Sequence, residues 1–330
     1  MIKRLFKTKV ASFLYLLFPV FLIAGNFAPA YAASNVSAFD DGFTVSPVRN
    51  ILSVNRGQTT IVQITVENPS NAPVTAQAIV NDFLPSGDET GVPRIITNNN
   101  TTLPLDNFIS LVKPIPTFYL GPEQQKIINV TVAVPSNATS GDYYGAVRFA
   151  PVSQGGGVVA LNATVATIFL LTVPGNLYQK LSLVQFSAAD LNGNSSSFFS
   201  NGQLSIVTRL KNEGTTHSEP FGTILIKNMF GKIVDNVQFN NSTPRASILT
   251  QSTRKFVTIL KKQKWLGYYT ATISIGYGTQ VSSLITAKTT FWYIPVWIEI
   301  TILVVLILII IGIVYLVRRR KASKFGRRLK

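Results

Sequence analysis

Cysteine is absent from all 330 residues, and histidine occurs only once. The first absence excludes a disulfide framework, thiolate metal sites and cysteine nucleophiles. The second leaves no imidazole pair for a zinc site. Acidic residues are also scarce, 14 against 30 Lys and Arg. Only Asp40 with Asp41 and Asp88 with Glu89 are adjacent. Carboxylates for glycoside hydrolysis can come from distant strands. These two pairs sit near the mature N-terminus and in a loop, and they read as solvated charge. A calcium site in a loop is the open metal alternative. Gly155-Gly156-Gly157 lacks the Lys and the following helix of a phosphate loop, and it reads as a hairpin tip. No catalytic, cofactor or metal residue is assigned, and the chain is not expected to be an enzyme.

Long apolar runs occur only at the two ends. Residues 1–32 open with Lys3, Arg4, Lys7 and Lys9, continue apolar over 10–25 and reach Ala30-Tyr31-Ala32. Basic, apolar and small-x-small segments in that order form a secretory signal, cut before Ala33. Residues 292–317 form the second run, predicted to be a transmembrane helix. Its stretch 300–317 is uncharged, and with 294–299 it is long enough for a ~30 Å hydrocarbon core. Trp292, Tyr293 and Trp297 stand at its start, where aromatic rings favour the interface. Glu299 either snorkels to the outer headgroups or pairs with another helix. The basic tail, 318–330, opens with Arg318, Arg319, Arg320 and Lys321 and has no acid. The positive-inside rule keeps it cytoplasmic, with the rest of the chain outside a single-pass membrane anchor. Most of the +16 net charge therefore lies in the signal and the tail. It serves orientation and contact with anionic lipid, and nucleic acid is not an expected partner.

Between the ends the pattern is β throughout. Residues 57–66 alternate polar and β-branched side chains, and Asn68-Pro69-Ser70-Asn71-Ala72-Pro73 closes the run as a turn. Residues 74–80, 126–134, 143–149 and 158–173 read as further strands. Short strands punctuated by Gly, Pro and Asn predict antiparallel sandwiches. The predicted fold class is all-β: two Ig-like domains, 33–175 and 176–288, and one C-terminal helix. The order of features recurs. Val66-Glu67-Asn68 answers Leu210-Lys211-Asn212, and Tyr143-Tyr144 answers Tyr268-Tyr269. The first domain is the longer, and a loop-rich stretch, 84–107, can hold the excess as a recognition loop or as a solvated insertion. Pro174-Gly175-Asn176 marks a short boundary, so the domains are expected to touch. Residues 193–202 read as a hairpin loop, and 281–290 as a spacer to the membrane.

His217 lies in Asn212-Glu213-Gly214-Thr215-Thr216-His217-Ser218-Glu219-Pro220. Beside Glu219 it has the composition of half an acid–base pair. The preferred reading is a turn residue satisfied by solvent or one backbone bond. In each Tyr pair, alternation puts one ring inside and one outside. The inner ring suits a core and tyrosine-corner role. Asn35, Asn99, Asn100, Asn129, Asn137, Asn162, Asn194, Asn240 and Asn241 begin Asn-x-Ser/Thr sequences. They matter only in a host that glycosylates Asn.

Several of these motifs together resemble a known family. Phe43-Thr44-Val45-Ser46-Pro47-Val48, Gly57-Gln58, Asn68-Pro69-Ser70 and Pro135 with Gly141-x-Tyr143-x-Gly145 are similar to the N-terminal domain of the WxL-interacting class of bacterial surface proteins. Leu210 to Gly222, Gly231-Lys232, Arg254-Lys255-Phe256 and Trp265-Leu266-Gly267 resemble its second domain. The resemblance implies a non-enzymatic surface protein that binds cell-wall polymer or another surface protein. It supplies no catalytic residue. The alternative is a membrane-tethered chaperone or assembly factor for surface proteins or pili, offering a sheet edge to incoming strands.

Overall fold

The computed structural model describes residues 42–97, 107–152, 164–261, 266–278 and 283–325. The signal segment, Asp40, Asp41, the glycine run at 155–157, and Asn35, Asn99, Asn100 and Asn162 lie outside them. Among the described residues, the stretch before the C-terminus is β-structure with one 3-10 turn, Ile109–Leu111, and one apolar helix follows.

The β-branched runs form two sandwiches. In the first, β1 (Thr44–Ser46), β3 (Thr59–Glu67) and β7 (Gln125–Ala133) make one sheet in that order. The facing sheet runs β2 (Arg49–Ser53), β9 (Val165–Val173), β8 (Gly141–Pro151), β4 (Val74–Pro85). β5 (Pro93–Ile95) and β6 (Phe118–Leu120) pair with opposite ends of β4. Period two puts Ile64, Val66, Val130 and Val132 of one sheet against Val147, Phe149, Phe169 and Leu171 of the other, all fully buried. Phe108 fills the remaining space beside Gly145, where an added Cβ would stand 1.8 Å from the ring.

The second sandwich packs β10 (Leu181–Ala189), β12 (Ser205–Asn212) and β15 (Thr253–Ile259) against a larger sheet. That sheet runs β11 (Phe198–Phe199), β17 (Ser283–Tyr293), β16 (Gly267–Tyr277), β13 (Phe221–Asn228), β14 (Ile233–Phe239). Ile206, Leu210, Ile224, Ile226, Ile273 and Phe291 form its core. α1 (Val296–Phe325) follows. Its segment Val296–Val317 is 22 residues of mean hydropathy 3.4, long and apolar enough to cross a membrane.

The repeated Asn is the same device in both halves. Asn68 Nδ2 donates to Ala72 O and Gly121 O at 2.8 and 2.9 Å. Asn212 Nδ2 donates to Thr216 O and Ile248 O at 2.8 and 3.0 Å. Each side chain closes its own turn and ties it to a segment distant in sequence, which satisfies main-chain carbonyls there.

Three expectations change. The stretch read as a membrane spacer belongs to β17 over residues 283–293, and the helix begins at Val296, not 292. Phe291-Trp292-Tyr293 therefore finishes a strand, with Phe291 and Tyr293 in the core. The same aromatic residues suit a strand and a membrane boundary, and packing decided between them. The loop read over 193–202 contains β11, which runs parallel to the end of β17. The tyrosine repeat is offset by one residue. The core-facing ring is the first of the pair in the first sandwich, Tyr143, and the second in the other, Tyr269. Tyr143 donates to Thr139 O at 3.0 Å, and Tyr269 to Leu266 O at 2.9 Å.

Candidate functional site

The residues that cross between the sandwiches centre on Asp142, next to Tyr143 on β8. Its side chain is completely buried and accepts four hydrogen bonds. Thr172 Oγ1 donates to Oδ1 at 2.6 Å. Tyr144 OH donates to Oδ2 at 2.8 Å. The other two donors come from the second sandwich: the main-chain N–H of His217, and His217 Nδ1 at 2.8 Å. Burial pushes the Asp142 carboxyl up, but the bonds and charge from His217 and the Thr172 hydroxyl outweigh it. The net position is below the usual carboxylate range. Tyr144 is driven well up, by burial and then by the Asp142 charge. Its hydroxyl stays protonated and also accepts from Thr250 N at 3.2 Å.

An apolar patch extends this contact. Phe83, Tyr144, Ala146 and Leu170 form a cluster on the outer face of the first sandwich, and Leu249 of the second packs on it. Two polar bridges flank the patch. Arg49 donates to Glu219 Oε1 at 3.0 Å and to Ser247 Oγ at 3.1 Å, and Ser247 also bonds Glu219 at 2.8 Å. Arg209 holds both oxygens of Glu89, Nε to Oε2 at 2.6 Å. The Lys255 N–H donates to Glu89 O at 2.9 Å. The Arg209 bonds hold the Glu89 carboxyl below its ordinary range despite slight burial.

These contacts overturn two readings. His217 is not a turn residue content with solvent, because its partner is a buried carboxylate in the other sandwich. Glu89 is not solvated charge, and residues 84–97 are neither a floppy insertion nor a free loop: β4, β5 and the turn between them carry Glu89 onto β12 and β15. Asp88 caps that turn, accepting from Thr90 N at 3.2 Å and Thr90 Oγ1 at 2.9 Å. Residues 98–106 lie outside the described residues. Tyr144 is the outer ring of its pair, and it is buried by the neighbouring sandwich. No local pattern joins Asp142 to His217 or Glu89 to Arg209. The available signal was the short domain boundary, which required contact without naming partners.

Beside the junction lies a cleft of about 480 Å³, bordered by Ile51, Ser53, Thr172, Leu177, Thr216 and His217. One wall is an open sheet edge. Among the described residues, β2 pairs only with β9. Ile168 N donates to Val48 O, and Val54 N to Thr172 O. Alternation then turns the main-chain groups of residues 50, 52 and 54 toward β9, and those of 49, 51 and 53 away from it. Val48 and Ile51 are 66% and 46% exposed on this edge. Asn50 is buried and pins the strand from behind, donating to Thr167 Oγ1 at 2.9 Å. Among the described residues no group of three or more His, Asp or Glu is placed to hold a metal ion.

No protein-family model matches this sequence, and no curated protein matches it. Solved structures similar to the chain include a component of the chaperone–tip adhesin complex of CFA/I fimbriae biogenesis. It is 14% identical with a TM-score of 0.37, and the match covers 75% of this chain and 98% of that one. The class 5 fimbriae chaperone CfaA is 15% identical with a TM-score of 0.36, covering 75% and 99%. The CupB2 chaperone of Pseudomonas aeruginosa is 10% identical with a TM-score of 0.32, covering 74% and 98%.

Proposed function

We propose that this chain is a membrane-anchored, non-enzymatic binding protein that takes an extended segment of another surface protein along β2, as an assembly factor or holder of that partner. The observation that carries the reading is the open β2 edge. Outward main-chain donors and acceptors supply affinity for an added strand, and Ile51 with the adjoining cleft supplies side-chain selection. The Asp142–His217 and Arg49–Glu219 bridges hold the second sandwich against the first, so the cleft is preformed, which lowers the ordering cost of binding. The WxL-interacting resemblance supports a surface protein with a protein partner. On this reading the ectodomain stands outside and the basic tail inside.

The test is a proline at Ile51 in the full chain. The Ile51 N–H faces away from β9, so Ile51→Pro spares the β2–β9 ladder while removing the donor an incoming strand needs. A photo-crosslinker at Ser53 in intact cells is expected to capture a secreted protein, and Ile51→Pro to abolish that capture. Capture unaffected by the proline, or binding of the detergent-solubilised chain to isolated cell wall with no protein adduct, would reject strand addition in favour of polymer binding.

A further inference from the structure

The second sandwich has no slack between its last strand and α1. Trp292 N donates to Ser197 O and Ile294 N to Phe199 O, each at 2.8 Å, and Val296 N to Ser200 O at 3.2 Å. The ladder thus continues into the first helical residue. Whatever lies at this end of the sheet is held near the membrane that α1 enters.

The register shows what lies there. Asn228 pairs with Tyr269, Tyr269 with Phe291, and Gly267 with Tyr293. The turn between β13 and β14 therefore stands level with Trp292 and Tyr293, two strands away, about 10 Å to the side. That turn is Asn228-Met229-Phe230-Gly231-Lys232, and it is rigidly built. Asn228 Oδ1 accepts from Phe230 N at 3.1 Å and Lys232 N at 3.0 Å, and Gly231 supplies a φ of 78°. A hydrophilic turn would be the ordinary choice for solvent. Here Phe230 is 85% exposed, the highest value for a large apolar side chain among the described residues. Met229 is half exposed, its methyl lying over Gly267. Leu266 and Trp292 at the same end are exposed too, and Trp292 sits between Phe198 at 6.2 Å and Tyr268 at 5.2 Å. Exposed Lys227 and Lys232 flank the turn.

We propose that this end of the second sandwich is a lipid-contacting surface, with Met229 and Phe230 seated in the interfacial layer of the membrane that holds α1. Amphipathic aromatic rings and a projecting apolar tip suit the headgroup–acyl boundary, and flanking lysines suit anionic headgroups. Continuity with α1 selects lipid over a protein partner, because the strand ladder keeps the tip at the height where the helix enters. The ectodomain then stands on two contacts with one bilayer, which fixes its tilt.

The chain has no cysteine, so single labels are unambiguous. Phe230→Cys and Leu284→Cys place a polarity-sensitive fluorophore at opposite ends of the same sheet. Full chain is reconstituted into phosphatidylcholine vesicles with added phosphatidylglycerol, checked by flotation, and titrated with lipids carrying a nitroxide near the headgroup. The expected result is quenching at 230 at least twofold above that at 284, a blue-shifted emission at 230, and quenching that rises with the phosphatidylglycerol share. Equal quenching at the two sites in floating vesicles overturns the surface. Failure to float overturns the membrane helix and the surface with it. Lys232→Cys, beside the tip, repeats the measurement if Phe230→Cys lacks the wild-type circular dichroism spectrum.

Discussion

Tyr144 in the first sandwich and Thr270 in the second each follow a core-facing tyrosine on the central strand, yet the first is buried and the second only half-buried. The strands are built alike up to that residue. The difference is what lies beyond the sheet: Leu249 and Thr250 of the neighbouring sandwich cover Tyr144. On the preceding outward position stand Asp142 and Tyr268. One is a buried carboxylate answered by His217, the other a ring beside Trp292 near the helix. Paired positions in the two halves keep their inner face and spend their outer face on different neighbours. An outer position that is buried in one copy and open in the other thus marks the interface between them.

The comparison is broken most directly at Asp142. Asp142→Ala removes the acceptor for four donors and leaves His217 without its partner. Removing one member of a buried pair costs about 3–5 kcal/mol, and urea unfolding should show a loss of that order. Tyr268→Ala, at the matching outer position, should cost far less. A small loss from Asp142→Ala would mean that the junction is not held by this carboxylate. The same group gives an acid limb. Its folded pKa lies below the unfolded value of about 3.9, so its contribution is complete above that value and is lost as pH falls through the folded pKa. Wild type should therefore lose stability more steeply than Asp142→Asn below about pH 4.

Next come two close-packed glycines on central strands, one in each sandwich. A Cβ at Gly222 would stand 1.9 Å from the Ser274 carbonyl oxygen, and one at Gly145 1.8 Å from the Phe108 ring. Overpacking of this kind costs about 1–3 kcal/mol. Gly222→Ala should reach the upper end, because backbone gives way less readily than a side chain. Gly145→Ala should be partly rescued by Phe108→Leu. No rescue would place the strain elsewhere.

The smallest effect is expected at Glu89. Its bidentate bond to Arg209 is partly exposed, so Glu89→Gln should cost about 1 kcal/mol or less, diminished further by salt. Hydrogen exchange should show the turn at 86–92 loosening while both cores stay protected. An unchanged turn would mean that the Lys255-to-Glu89 backbone bond alone docks it.

These contrasts show what one chain of letters carries. Alternation in 57–66 and 126–134, and the Asn-led turns at Asn68 and Asn212, were legible because they act over a few residues. The one-residue offset of the tyrosines was not, because Tyr143-Tyr144 and Tyr268-Tyr269 look identical until a core selects one ring. The strand end at Tyr293 was masked by aromatic residues that serve either a sheet or a membrane boundary. The β2 edge escaped notice because openness belongs to the assembled sheet order, not to the residues of the strand. Asp142 with His217 is the extreme case: a lone histidine gives no hint of a carboxylate on another domain.

On the proposed reading, the strand that leads into the apolar helix is also the one through which the two sandwiches would be pulled. β17 pairs with β16 over eleven positions, running antiparallel to it, and with β11 at its last two. A tug on a captured partner, resisted by α1, loads β17 along its own axis. The hydrogen bonds to β16 lie across that axis and must stretch together, in shear, instead of opening one after another. β11 grips the same strand from the other side. On that reading the join between sandwich and helix is a tether, strongest along the axis of β17.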